Sequence, residues 1–110
     1  VLHLASNQLE TLPEIGEVYP RLRKLFLENN RLRELPASFG RLIRLEQLGL
    51  TENFLTSLPE AILQCFSLRM LDVAKNQIVE LPNLAALSSL RALVLKDNPL
   101  STLPSLKDLG

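Results

Sequence analysis

The chain has no tryptophan, and its 110 residues include one cysteine, one histidine, one methionine and one tyrosine. Each scarcity removes a class of explanation. A lone Cys65 cannot close an internal disulfide, and without a second cysteine there is no thiol pair for zinc or redox chemistry. His3 has no second histidine to complete a ligand set, and the periodicity described below puts it on an outward strand face as a surface residue. Four glycines form no phosphate-cradling loop, and neither HExxH nor G-x-S-x-G occurs. The carboxylates are scattered. No catalytic group, cofactor site or metal site is therefore expected, and the segment does not read as an enzyme.

A net charge is missing as well. Twelve basic and twelve acidic residues cancel, which argues against global attraction to nucleic acid or to an anionic membrane. The longest apolar stretch, around Leu84 to Leu95, is broken by Ser88, Ser89 and Arg91 and is too short to span a bilayer. There is no Asn-x-Ser/Thr sequon and no signal-like start. These absences lead to the expectation of a cytoplasmic protein.

What is present is leucine, about a quarter of the chain, and it recurs on a fixed beat. The stretch LRKLFLENNRLRELP places Leu22, Leu25, Leu27, Asn30, Leu32 and Leu35 before Pro36. The same beat returns at Leu45–Leu58, at Leu68–Leu81 (with Val73 and Ile78 in two places) and at Leu90–Leu103, each followed by proline. A shortened round, Leu2, Leu4, Asn7, Leu9 and Leu12, precedes them. Aligned on Asn7, Asn30, Asn53, Asn76 and Asn98, the units step by 23 residues three times and by 22 once.

Within LxxLxLxxNxLxxLP the LxL portion alternates, so its leucines face one side and the residue between them the other, as in a short strand. The Leu-Pro pair turns the chain away, because proline suits a first helical turn or an extended stretch and not a sheet interior. An asparagine amide both donates and accepts. A column of five can therefore satisfy backbone groups in its own bend and bridge to the neighbouring coil.

This pattern, over essentially the whole chain, resembles that of intracellular leucine-rich repeat proteins. LPASFGRLIRL and LPEAILQCFSL are similar to the 23-residue class of Ras-pathway scaffolds, Ras suppressor and LAP polarity adaptors. The shorter LPNLAALSSL and the closing LPSLKDLG are similar to the 22-residue class of a phosphatase-1 regulatory subunit. The resemblance implies an α/β fold: a right-handed solenoid with a parallel sheet on its concave face and short helical or irregular segments on its convex face. Residues 1–110 then form one domain with units at 1–21, 22–44, 45–67, 68–89 and 90–110, the first and last partial. Neither end carries a polar cap, which stacked repeats need, so the expectation is an excerpt of a longer array.

One unit departs from the others. In LPEIGEVYPRL, Gly16 stands where Phe39 and Ile62 stand, Ile15 is expected to take over the inward role, and Tyr19 aligns with the core positions Leu42, Cys65 and Leu87. The convex backbone should deviate there.

The residues between and after the strand leucines form four outward columns. They are Val1, Lys24, Gln47, Met70 and Ala92; His3, Phe26, Gly49, Asp72 and Val94; Ala5, Glu28, Thr51, Ala74 and Lys96; and Ser6, Asn29, Glu52, Lys75 and Asp97. Five strands at about 4.8 Å spacing make a face roughly 20 Å wide, enough for one side of a modest interface. Phe26, Met70 and Val94 are apolar yet outward. Phe26 between Lys24 and Glu28 has the character of an anchor with a polar surround, and Gly49 should leave a dip beside its ring for a partner side chain. Lys24, Phe26, Glu28, Gln47, Gly49, Met70, Asp72 and Val94 are thus the candidate partner-binding residues.

Seven basic residues crowd between Arg21 and Arg44: Arg21, Arg23, Lys24, Arg31, Arg33, Arg41 and Arg44. They wrap around the coil as a belt, expected to pair with acidic residues such as Glu10 and Glu46. A basic groove with interleaved aromatics, which nucleic-acid binding would need, is missing. The reading that follows is a scaffold binding another protein on the concave face, with a small GTPase, a phosphatase or a signalling adaptor as partner by resemblance. Two alternatives are the sensor or substrate-recruiting segment of a multidomain signalling enzyme, and a purely structural spacer.

Overall fold

The computed structural model describes residues 1–101; Leu103 and the closing LPSLKDLG, assigned above to the last unit, lie outside the described residues. The LxL alternation yields β1 (Leu2–His3), β2 (Lys24–Phe26), β3 (Gln47–Gly49), β4 (Met70–Asp72) and β5 (Ala92–Val94). They make one parallel five-stranded sheet in chain order. Its register is the repeat itself, with Leu25 opposite Leu48, Leu48 opposite Leu71 and Leu71 opposite Leu93. The architecture is the expected α/β solenoid.

On the opposite side of each coil the chain turns through a short helix: α1 (Ile15–Val18), then the 3-10 segments η1 (Ala37–Arg41), η2 (Glu60–Gln64) and η3 (Leu84–Ala86). Pro36 and Pro59 stand extended just before η1 and η2. Their carbonyls accept the Phe39 and Ile62 N–H groups at 3.1 Å each. Proline thus stops the preceding stretch from pairing as a strand while leaving its own acceptor free to start the turn. Before η3 the cap is Asn83, whose side chain accepts from the Ala85 N–H at 3.0 Å.

The interior is a stack of leucine columns. Leu25, Leu48 and Leu71, Leu27, Leu50 and Val73, and Leu32, Leu55 and Ile78 are all fully buried, as are Phe39 and Ile62 from the opposite side. At about 1.5–3 kcal/mol per fully buried aliphatic side chain, these columns supply most of what favours the coil stack.

The asparagine ladder is present and interlocked. Asn53 Oδ1 accepts the Leu32 N–H of the preceding coil at 3.1 Å, while its Nδ2 donates to Leu27 O at 3.0 Å and Leu50 O at 3.1 Å. Asn30, one coil earlier, and Asn76 and Asn98, one and two coils later, repeat the same three contacts. Asn7 bonds only within its own bend, to Leu4 O and Ala5 O.

The column Ser6, Asn29, Glu52, Lys75 and Asp97 is corrected by the structure. All five have φ between 55° and 60°, so they form left-handed turns at the sheet margin instead of continuing its face. This conformation costs a non-glycine residue roughly 1–2 kcal/mol. In return the N–H groups of Ser6, Asn29, Glu52 and Lys75 reach the next coil's carbonyls. No glycine marks these positions in the sequence.

The first coil deviates as anticipated. It alone closes with α-type bonding, Tyr19 N–H to Ile15 O at 2.8 Å, and Ile15 is buried in the inward role. Gly16 is needed because a Cβ there would collide with the Ser38 carbonyl; its N–H instead meets Ser38 Oγ at 3.2 Å. Alignment does not carry burial to Tyr19, which is 50% exposed where Cys65 is 0%. Among the described residues this coil has a packed neighbour on one side only, and Tyr19 joins Val1 and Val18 on the open side. The basic belt is solvated, with Arg23 to Glu46 at 3.9 Å as expected and Arg41 to Glu17 at 3.8 Å. Glu10 forms no ion pair among the described residues.

Two stability predictions follow from this geometry. Asn53→Ala strands the Leu32 N–H in the interior and leaves the Leu27 and Leu50 carbonyls with one asparagine donor each, from Asn30 and Asn76, so urea unfolding should show a loss of roughly 1–3 kcal/mol, beyond that of Asn7→Ala. Gly16→Ala should cost roughly 1–3 kcal/mol because a backbone group must move, while Gly40→Ala, whose added Cβ meets only ordinary contacts, should melt near the wild type.

Candidate functional site

The register brings the outward columns together as expected. Lys24 lies beside Gln47 and Gln47 beside Met70; Phe26 lies beside Gly49, Gly49 beside Asp72 and Asp72 beside Val94. Lys24, Phe26, Glu28, Gln47, Met70, Asp72 and Val94 are all half-buried. The face is shallow and mixed, a few apolar side chains set among charges.

Two details differ from expectation. Phe26 is not a free-standing aromatic: its ring stacks on His3 with centroids 5.0 Å apart and planes 21° from parallel. Nor is the dip at Gly49 open. The Glu28 carboxylate lies over Gly49, which is itself buried. A Cβ built on Gly49 would touch Glu28 Oε1, with the Glu28 Cδ at 3.0 Å and Phe26 Cδ1 at 3.3 Å. Glu28 Oε1 is buried there without a hydrogen-bond partner among the described residues. Asp72, across Gly49, uses its Oδ1 to accept the Ala74 N–H at 3.1 Å. Glycine at 49 therefore provides room for a carboxylate arm folded back from β2's own coil.

Other exposed apolar residues escaped the sequence reading. Ile43 and Phe66, 53% and 56% exposed, occupy equivalent places in adjacent units, and Phe54 and Val79 stand out on loops. Their signal is weak but legible: each fills a variable position of the repeat that other units give to other residue types, such as Pro20 and Ser88 for the Ile43 position.

The described residues contain no cluster of three or more potential metal ligands, and no helix among them is long and apolar enough to cross a membrane. Cys65 is buried, and its thiol donates to Phe39 O at 3.3 Å. Burial pushes its pKa from 9.0 to about 11, the opposite of what a reactive thiolate requires.

A family model for the leucine rich repeat matches residues 20–78. Comparison with curated proteins finds no match. Among solved structures, a chain of the Toll–Spätzle complex of Drosophila superposes with a TM-score of 0.83 at 32% identity, over 96% of this chain and 15% of that one. An internalin from Listeria monocytogenes gives 0.75 at 30% identity, over 86% of this chain and 27% of that one. A leucine-rich repeat protein from Leptospira interrogans gives 0.72 at 29% identity, over 97% and 34%. The chain thus spans about a third or less of the length of these proteins.

The thiol provides a test of interior burial. In the unfolded chain it ionises near its ordinary value, while the folded chain holds the proton until about pH 11. The unfolded state therefore binds fewer protons across that window, and stability falls as pH rises through it. A contribution of roughly 2–3 kcal/mol, intact below pH 9, should be lost near pH 11. Denaturant titrations of Cys65→Ala should lack this component and so fall less steeply than the wild type between those limits.

Proposed function

The chain belongs to the leucine-rich repeat family, and from that membership we propose that it is a protein-interaction scaffold, with no reaction of its own, that holds a partner protein on its concave sheet. The observation that carries this reading is the row of outward side chains on the sheet: Phe26, Met70 and Val94 lie half-buried in solvent-facing columns although the interior is already filled by leucine. Each strand is held to its neighbours by register and by the ladder, so little backbone ordering remains to oppose binding. Two similar structures support a protein partner in general terms: one is a chain from a complex of Toll with Spätzle, the other an internalin.

A Ras-pathway, LAP-type or phosphatase-regulating setting, with a small GTPase, a phosphatase or an adaptor as partner, belongs to the same proposal. Its support is the resemblance of LPASFGRLIRL, LPEAILQCFSL and LPNLAALSSL to those classes. A cytoplasmic setting rests on that resemblance too. A second reading has its own observation: Ile43 and Phe66 are more exposed than the concave apolar residues and hold equivalent positions in adjacent units, which would place the partner on the coil edge.

The two readings separate by substitution in the full-length protein. Replacing Phe26, Met70 and Val94 together by alanine should lower partner recovery in quantitative affinity purification at least about tenfold, the loss of 1.4 kcal/mol or more expected of anchor residues. Replacing Ile43 and Phe66 should leave recovery near that of wild type. The reverse result moves the site to the coil edge, and indifference to both sets would reduce the segment to a spacer.

A further inference from the structure

Among the described residues Glu28 carries the one buried side-chain polar atom without a hydrogen-bond partner, and it lies on the concave sheet. Its Oε1 is shielded from water and lacks a donor among the described residues, although a buried carboxylate oxygen normally finds at least one. The carboxylate lies where a Cβ on Gly49 would stand, and the Phe26 ring edges the same spot. Asp72 stands across Gly49 in register and spends one oxygen on the Ala74 N–H. Lys24 begins the same strand, but the four residue steps from it to Glu28 put it roughly 13 Å away along an extended chain, and no ion pair links them among the described residues. Glycine is the enabling residue, since any side chain at 49 would expel the carboxylate.

These features converge on one kind of occupant. We propose that the partner inserts a cationic side chain, an arginine guanidinium, into the hollow over Gly49, and that Glu28 turns outward to receive it. A guanidinium is planar, carries parallel donors that match a carboxylate, and tolerates an aromatic face beside it. The Phe26 ring, with one side already stacked on His3, offers its Gly49 side as that wall. Glu28 supplies the paired acceptors and Asp72 a second negative charge across the hollow. Glu28 thus occupies the hollow when the face is empty and exchanges an unpaired burial for a charge-assisted pair when it is filled. This assignment rests on the concave-face reading above and adds to it the partner's chemistry.

The test is a random dodecapeptide library displayed against the full-length protein, with binders re-measured on Phe26→Ala and Glu28→Gln. Both variants are first checked by circular dichroism; Glu28→Gln keeps the side chain's shape and should melt at or above the wild-type temperature, because it removes a charge from an unpaired buried atom. The expected binders weaken on Phe26→Ala and carry arginine at one fixed position. Substituting citrulline there, which keeps the shape without the charge, should weaken binding about tenfold to wild type and less than about twofold to Glu28→Gln. Binders that depend on Phe26 but carry no fixed cationic residue, or whose citrulline forms bind both proteins alike, overturn the guanidinium assignment and leave the concave face standing. Binders indifferent to Phe26→Ala, or no binders at all, overturn both.

Discussion

A coil whose strands are two or three residues long cannot fix its own register, because so few ladder bonds distinguish one pairing from a slipped one. The asparagine amide does it instead. Each buried asparagine takes one carbonyl from its own coil and one carbonyl and one N–H from the coil before it. A slip by one residue would break all three at once and also turn the leucine face outward. Three bonds per coil at about 1 kcal/mol net are modest. Their cost when broken is larger, since every group involved is buried. The ladder is therefore the constraint on which sheet register, coil spacing and the outward columns all depend.

That dependence explains which parts of the molecule were legible in the sequence. The strands, the leucine columns, the asparagine contacts and the side-by-side order Phe26, Gly49, Asp72 and Val94 are each dictated by position within the repeat, so the period alone locates them. The inward turn of Ile15 was legible for the same reason. What the period does not encode is how individual side chains lie across coils. Glu28 folding over Gly49, Phe26 stacking on His3, and Arg41 pairing with Glu17 in place of a Glu10 contact all depend on neighbours 21 to 24 residues away. The left-handed turns at Ser6, Asn29, Glu52, Lys75 and Asp97 were hidden for a different reason. Their strain is offset by N–H bonds to the next coil at most of these positions, so glycine is not required and no composition signal remains.

Tyr19 shows the limit of alignment most plainly. It holds the position of Leu42, Cys65 and Leu87, yet burial in a solenoid is created by coils on both sides and is not a property of the position itself. The same logic accounts for the partial burial of Leu2, Leu4 and Leu9 beside the full burial of their counterparts in the middle coils. Local pattern tells which way a side chain points; the neighbouring coil decides whether it is covered.

The concave face then acquires a different status from the interior. Inside, every leucine column is filled and every asparagine amide is matched, so change there is resisted by several kcal/mol per residue. Outside, the backbone is equally rigid, but Glu28 is held by no hydrogen bond at Oε1 among the described residues and can rotate about its own side chain without disturbing a strand. Leaving that oxygen unpaired costs about 1–3 kcal/mol, a debt that a stack of fully buried leucines readily offsets. Rigidity in the scaffold and freedom in one charged arm are thus compatible because they draw on different bonds. A partner docking here as proposed would meet backbone positions preset by the ladder and, in Glu28, a charged arm that can move.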